Sequence, residues 1–416
     1  MDFSDLNLNK PILKAVFEKN FETPTEIQKK TIPVVLAKKD LIATAQTGTG
    51  KTAAFILPIL QILFRNQNNS EEKKNVQSLI ISPTRELANQ IHEESVAFAK
   101  YTGLKTAVVY GGISVDAQEK VINEGVDILI ATPGRLIDLC KQDIVDLSTV
   151  EILVLDEADL MLDMGFIDDI KKISRLCSEE KQTLLFSATM PNSVLRFAER
   201  ILSDPERVEV EVEKKSSNRV KQYLYYVPKP SKVELCLYLL RNTIQGNILI
   251  FRRTRNGVDR LEQTLLKNGF KAEGLHGEKS QSARQNILDN FKFNKTNILI
   301  ATDVASRGID IDDLDAVLNF DLPNIPETYV HRIGRTGRAG KTGASYSLCA
   351  PDEKEYVSAI QKVIKSAIPV VENHPCSIKV KEKSRQDKSK QNNSKKSKYK
   401  KSRKSEASKK KKKRWY

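Results

Sequence analysis

Ala45-Gln46-Thr47-Gly48-Thr49-Gly50-Lys51-Thr52 sets two glycines, a lysine and a hydroxyl in one turn between an apolar run and a helical stretch. Glycines at 48 and 50 let the backbone turn tightly and aim its N–H groups inward, at the oxygens of a phosphate. Lys51 adds a charge that reaches the outer phosphates, and Thr52 offers a hydroxyl to a magnesium ion. The helix that begins there directs its positive end at the same anion. Ala45 stands in the first glycine position of the phosphate-loop pattern. Phosphoryl chemistry also needs a metal carboxylate and a group that activates water. Val150–Leu155 runs as an apolar strand into Asp156-Glu157-Ala158-Asp159, and carboxylates at the carboxyl end of a parallel strand lie beside a phosphate loop. Asp156 is the expected metal ligand, and Glu157 the group that orients and deprotonates water. The alternative for the same four residues is an acidic helix start stabilised by the dipole, a reading that the neighbouring phosphate loop disfavours.

These residues need strands to hold them. Short apolar runs alternate with helical stretches almost to residue 370. In the first half they are Asp40–Ala45, Val76–Ser82, Lys105–Tyr110, Asp127–Thr132, Val150–Leu155 and Gln182–Phe186. In the second half they are Gln222–Val227, Gly246–Phe251, Asn297–Thr302, Ala316–Phe320 and Ala344–Cys349. The runs lack polar alternation, so they read as strands buried on both faces. Amphipathic helices such as Arg85–Tyr101, Asn192–Leu202, Lys232–Thr243 and Ser282–Phe293 lie between them. The alternation implies an α/β protein with two parallel sheets, each covered by helices. The expected division is a first domain over 1–206, a linker over 207–218, a second domain over 219–370 and a tail over 371–416. The stretch Asp204–Asn218 reads as a linker, or in part as an edge strand. Ile-Leu-Ile-Ala-Thr occurs at 128–132 and again at 298–302, and Leu41–Thr44 echoes it. Either the two domains are related, or buried strands draw on few residue types.

The 416 residues carry 68 basic and 53 acidic side chains. The charge is segregated: residues 379–416 hold 19 basic and 3 acidic residues, and the preceding 378 hold 49 and 50. A near-neutral body therefore carries a cationic tail, whose Lys, Ser, Asn and Gln cannot bury enough apolar surface to offset ordering entropy. The tail is expected to be disordered and to tether nucleic acid electrostatically, the alternative being a merely solvated end. No run approaches the roughly 20 apolar residues of a membrane span. Met1-Asp2-Phe3-Ser4-Asp5 is acidic where a secretory signal would be basic, so no export is expected. Five cysteines without a close pair suit reduced thiols in a cytoplasm.

In its set and order of motifs the chain resembles the DEAD-box ATP-dependent RNA helicases across roughly residues 1–370. Phe21-Glu22-Thr23-Pro24-Thr25-Glu26-Ile27-Gln28 resembles the family's adenine-reading motif, with Phe3 upstream and Asn20 where the family has glycine. Then follow the phosphate loop, Pro83-Thr84-Arg85-Glu86-Leu87-Ala88, Gly111-Gly112, Thr132-Pro133-Gly134-Arg135, the Asp156–Asp159 box and Ser187-Ala188-Thr189. The second half supplies Ile250-Phe251-Arg252-Arg253-Thr254, Gln281-Ser282-Ala283-Arg284, Ala301–Asp310 and His331–Arg338. The opening residues, the surroundings of the last motif and Ile368-Pro369 resemble the bacterial RhlE-like subgroup.

The resemblance implies two tandem RecA-like domains that bind ATP and Mg²⁺. Phe21 and Gln28 would receive the adenine, residues 45–52 the phosphates and Asp310 a ribose hydroxyl. Thr52 and Asp156 would hold the magnesium. Catalysis would rest on Lys51, Asp156 and Glu157, with Arg335 and Arg338 as arginine fingers. Asp159, Ser187, Thr189 and His331 would couple the ATP site to RNA. Arg85, Gly112, Thr132, Gly134 and Arg135 in the first domain, with Arg252 and Thr302 in the second, would grip the RNA backbone without reading sequence. The implied activity is RNA-stimulated ATP hydrolysis coupled to local unwinding of short duplexes or remodelling of ribonucleoproteins. An ATP-regulated RNA clamp or scaffold with little unwinding is the alternative. A DNA-directed helicase is disfavoured by the box and the adenine motif together. Ribosomal precursors and RNA-decay proteins are compatible partners, and no membrane partner is expected.

Overall fold

A computed structural model of the chain describes residues 2–46, 48–66, 75–210, 220–306, 314–337 and 342–377. Two sheets account for its strands. The first comprises β1 (Leu41–Thr44), β2 (Ser78–Ile81), β3 (Thr106–Val109), β4 (Ile128–Ala131), β5 (Ile152–Leu155), β6 (Gln182–Ser187) and β7 (Glu206–Glu209), in the order β3-β4-β2-β5-β6-β1-β7. The second comprises β8 (Val220–Tyr226), β9 (Ile248–Phe251), β10 (Ala272–Leu275), β11 (Ile298–Ala301), β12 (Ala316–Asn319) and β13 (Gly343–Cys349), in the order β10-β11-β9-β12-β13-β8. Every described pairing is parallel, as in β1–β6 and β12–β13. The architecture is the expected pair of RecA-like α/β lobes.

Burial explains why the strands read as continuous apolar runs. Along β1, Leu41 and Ala43 enter one core while Ile42 enters the other, on the opposite face. In the second sheet Ile248 and Ile250 face one cluster, and Leu249 and Phe251 the other. Helix starts after strands are capped by side chains: Thr84 accepts from Leu87 N and Thr254 from Gly257 N. Such caps satisfy amides that have no partner within the helix. Among the described residues no helix is long and apolar enough to cross a membrane.

Set aside β7, and the two sheets have the same strand order. The repeated pentapeptide falls on β4 and β11, which occupy equivalent places, whereas the echo in β1 does not. The lobes also end alike. β7 pairs with the outer edge of β1, and residues 369–371 pair with the outer edge of β8: Leu224 N donates to Pro369 O at 2.8 Å, and Val371 N to Leu224 O at 2.9 Å. Two expected boundaries therefore shift. The linker, expected from 207, begins inside β7, so that part of it is the edge strand. The tail, expected from 371, begins on an ordered segment in which His374 packs edge-on against Tyr225 at 5.5 Å. Residues 211–218 and the tail beyond 377 lie outside the described residues.

Candidate active site and nucleic-acid interface

The order β5-β6-β1 brings three functional loops side by side at the carboxyl edge of the first sheet. The phosphate loop follows β1, the acidic box follows β5, and Ser187 ends β6 between them. Ala45 is buried, its N–H donating to Ser187 O at 3.0 Å. Gly48 and Gly50 take φ of 80° and 90°, in the left-handed region that favours glycine. Thr49 Oγ1 closes the turn by donating to Gln46 O at 2.7 Å. The helix Lys51–Asn66 then begins, with Thr52 half-buried in its first turn.

Lys51 is 6% exposed, and its Nζ donates to Glu157 Oε1 at 2.8 Å. Burial works against its charge, but Glu157 and Asp156 outweigh that, and its pKa lies above the ordinary lysine value. Asp156 is fixed by its backbone N–H, which donates to Ile81 O at 3.0 Å. Burial pushes its carboxyl up to about 7; Lys51 pulls it down and Glu157 pushes it further up. Its Oδ1 is buried without a hydrogen-bond partner among the described residues. An orphaned carboxylate oxygen beside a phosphate loop, with the Thr52 hydroxyl in the loop's helix, fits a hard cation such as magnesium. Glu157 takes φ 55° and ψ 52°, a left-handed conformation in a residue that is not glycine. Such backbone strain persists where the surroundings enforce it, as at functional sites.

The box continues into a hydrogen-bonded chain. Asp159 Oδ2 accepts from Thr189 N at 2.9 Å and from Thr189 Oγ1 at 2.7 Å. Ser187 Oγ accepts from Asp159 N at 3.3 Å and donates to Thr189 O at 2.7 Å. From the second lobe, His331 Nε2 approaches Asp159 Oδ2 to 3.9 Å, short of a hydrogen bond. Arg335 lies two residues beyond the helix Pro326–Ile333, its carbonyl accepting from Leu314 N at 3.2 Å. Thr47, Asp310 and Arg338 fall outside the described residues.

Gln28, the last residue of the adenine motif, is 2% exposed and lies against the phosphate loop. Its Oε1 accepts from Thr25 N at 2.9 Å and its Nε2 donates to Gly50 O at 3.1 Å. Phe21 is half-buried, stacked 6.4 Å from Phe3 and tilted 5.8 Å from Phe98. Asn20, where the family has glycine, adopts φ 59°, a conformation asparagine tolerates better than most residues.

On the first lobe, β3, β4 and β2 are neighbours, and the residues that follow them gather accordingly. The Arg85 guanidinium lies against Gly112, where any Cβ would collide with it. Arg135 Nη1 donates to Ile113 O at 3.0 Å. Thr132 precedes the helix Pro133–Lys141 without a side-chain capping hydrogen bond, and Gly134 lies exposed in its first turn, with open space where a Cβ would stand. On the second lobe, Thr302 follows β11 and is buried. Arg252 follows β9 but turns inward: its guanidinium lies 4.1 Å from the Phe320 ring centroid and its Nε 3.4 Å from Asp321. Its neighbour Arg253, 43% exposed, is the more open of the two.

A buried contact joins the lobes at this face. Arg284 Nε meets Glu86 Oε1 at 2.7 Å, both side chains under a tenth exposed. Arg284 Nη1 also donates to His276 O at 3.1 Å. Both residues stand in motifs visible in the sequence, yet nothing there pairs positions 198 residues apart.

Comparison with known proteins agrees with this geometry. The family model for the DEAD/DEAH box helicase matches residues 25–197, and that for the helicase conserved C-terminal domain matches 231–340. The chain is 43% identical over 363 residues to the ATP-dependent RNA helicase CshA of Limosilactobacillus reuteri, covering 87% of this chain and 72% of that protein. It superposes with a TM-score of 0.77 on S. cerevisiae Dbp5 bound to RNA and ADP BeF3, at 30% identity, covering 89% of this chain and 95% of that one. On a point variant of Dbp5 bound to Nup159, a Gle1 variant, IP6 and ADP, the TM-score is 0.57 at 28% identity, with 88% and 95% covered. Over the whole chain the superposition is thus better on the first Dbp5 structure than on the second.

Proposed function

Because this chain belongs to the DEAD-box family of ATP-dependent RNA helicases, we propose that it works as a two-lobe clamp closing over ATP and single-stranded RNA. One run of contacts carries the reading. Asp159, beside the catalytic carboxylates, is held by Ser187 and Thr189, and His331 of the other lobe closes on the same carboxylate. A pocket completed by both lobes is fully formed only when they meet. ATP and RNA, each gripped by both lobes, then favour each other's binding.

Lys51 neutralises Glu157 in the present arrangement. An entering triphosphate offers the ammonium stronger anions, and its departure leaves the Glu157 carboxylate as a base. Glu157 orients a water and takes its proton as the water oxygen attacks the γ-phosphorus and the bond to the ADP oxygen breaks. Asp156 and Thr52 hold the magnesium, which when bound offsets phosphate charge. Phe21 and Gln28 receive the adenine, Asp310 the ribose, and Arg335 with Arg338 the γ-phosphate. Arg85, Gly112, Thr132, Gly134 and Arg135, with Thr302, form the RNA face; Arg252, expected there, is turned inward onto Phe320 and Asp321. Closure bends one strand of a short duplex and its partner leaves; hydrolysis reopens the clamp.

Glu157→Gln tests this directly. ATP and RNA binding persist while turnover falls by about 10²–10⁴-fold, the usual worth of a positioned base. Near-normal hydrolysis in the variant overturns the assignment. Displacement of short RNA duplexes is measured alongside in the parent protein. RNA-stimulated hydrolysis without displacement identifies a clamp or scaffold instead.

The first domain is proposed to end with β7 and the second to begin with β8. An RhlE-like placement rests on the opening residues and Ile368-Pro369, although the relative quoted above is named CshA. Cytoplasmic residence is proposed on the thiols, all five of which are free. Ribosomal precursors or decay substrates are identified by cross-linking RNA to the Glu157→Gln form in cells.

A further inference from the structure

At the carboxyl edge of the second sheet, β9, β12 and β13 lie side by side. The residues after them, with Lys232 from the helix that follows β8, form a compact charge cluster. Lys232, 3% exposed at the start of the helix Lys232–Asn242, donates to Glu353 Oε2 at 2.6 Å and to Phe320 O at 2.9 Å. Glu353 Oε2 also accepts from Ala350 N at 2.9 Å, while its Oε1 faces Arg253 Nη2 at 3.4 Å. Arg253 Nη2 donates to Leu322 O at 3.0 Å, and Arg253 N to Asp321 Oδ2 at 3.0 Å. Tyr356 lies under the Arg253 guanidinium, 5.6 Å from it.

The charges do not cancel. Lys232, Arg252 and Arg253 are three cations facing two carboxylates, Asp321 and Glu353. One positive charge is left over, and the exposures place it. Lys232 and Arg252 are 3% and 18% exposed, against 43% for Arg253. Arg252 is committed to Phe320 and Asp321. The described contacts of the Arg253 guanidinium engage Nη2, which leaves Nε and Nη1 for a phosphate. Without Lys232, Glu353 would be a buried, uncompensated carboxylate that draws Arg253 inward as its sole counter-ion. With Lys232 in place, Glu353 fixes the arginine without consuming its charge.

We propose that Arg253 is the arginine this lobe offers to an RNA phosphate, and that the buried Lys232–Glu353 pair is the positioning device that aims it. The proposal rests on the RNA-clamp reading and deepens it.

The test uses the full-length chain and an oligouridylate that stimulates ATP hydrolysis, with titrations repeated over a range of salt. Arg253→Gln raises the KM for RNA by about fivefold and reduces the log–log salt slope by about 0.7, the loss of one single-strand phosphate contact. Glu353→Gln raises the KM for RNA, leaves the KM for ATP and kcat at saturating RNA unchanged, and adds nothing in the Arg253→Gln background. Lys232→Arg, which keeps the cation, preserves RNA affinity. A Glu353→Gln effect that persists undiminished in the Arg253→Gln background overturns the positioning role. So does a lowered melting temperature with unaltered RNA affinity. Should Glu353→Gln not fold, Arg253→Gln alone decides: unchanged KM and salt slope defeat the proposal. A parent unresponsive to RNA sinks the clamp reading instead.

Discussion

Gly50 shows how much of the active site depends on a missing side chain. At φ 90° its backbone occupies a region that other residues adopt at a cost, and a Cβ there would run into Gln28 Nε2. The close approach is what lets the Gln28 amide donate to Gly50 O and tie the adenine motif to the phosphate loop. Gly50→Ala adds about 1–3 kcal/mol of backbone strain and drives Gln28 away. The expected outcome is a folded protein whose ATP affinity drops by about tenfold or more, since each ~1.4 kcal/mol is a factor of ten. Calorimetric titration with a non-hydrolysable ATP analogue checks it, and unchanged affinity refutes the link. The loop and the box are legible in the sequence because glycine, lysine and adjacent carboxylates declare their chemistry by type. The Lys51–Glu157 ion pair is not, because it needs β5 and β1 to be brought to either side of β6.

Strands buried on both faces are equally readable, because uninterrupted Val, Ile and Leu leave no solvent face to mark. β10 is not. Its Ala-Glu-Gly-Leu lies at the sheet's edge, where Glu273 reaches out to Asn290 and Thr296, and glycine with a charge reads as loop. The edge caps are hard to see for a related reason: β7 alternates, and residues 369–371 are too short to show a period. An unprotected edge invites pairing with another chain, so each cap should matter to its lobe. A chain ending at Ala367 loses Ile368, which is 3% exposed, and the hydrogen bonds to Leu224. Relative to a chain ending at Ser377, it should lose about 2–3 kcal/mol, the worth of one large buried aliphatic side chain and its neighbours. Urea unfolding of the two chains measures the difference. Equal midpoints would show the segment to be a passenger.

At the scale of the whole molecule, the two lobes share a plan but must separate and meet for ATP and RNA to be exchanged. Glu86–Arg284 is suited to making that equilibrium sharp. When the lobes meet, both side chains are under a tenth exposed, and neither has water to offset the loss of its partner. When the lobes part, each is resolvated. The pair therefore favours closure only if both members are present, and a lone charge penalises it. Arg284→Glu sets two carboxylates against each other and should shift the RNA concentration needed for closure upward by more than about tenfold, read from energy transfer between dyes on the two lobes. Glu86→Arg with Arg284→Glu reverses the pair and should recover most of the loss, a coupling of about 1–3 kcal/mol. ATP affinity should fall with closure in the single variant and recover in the reversal, because ATP is gripped by both lobes. If the double reversal closes no better than the single one, the contact is incidental to closure, and the favourable arrangement of the lobes must come from the pocket around Asp159 and His331 instead.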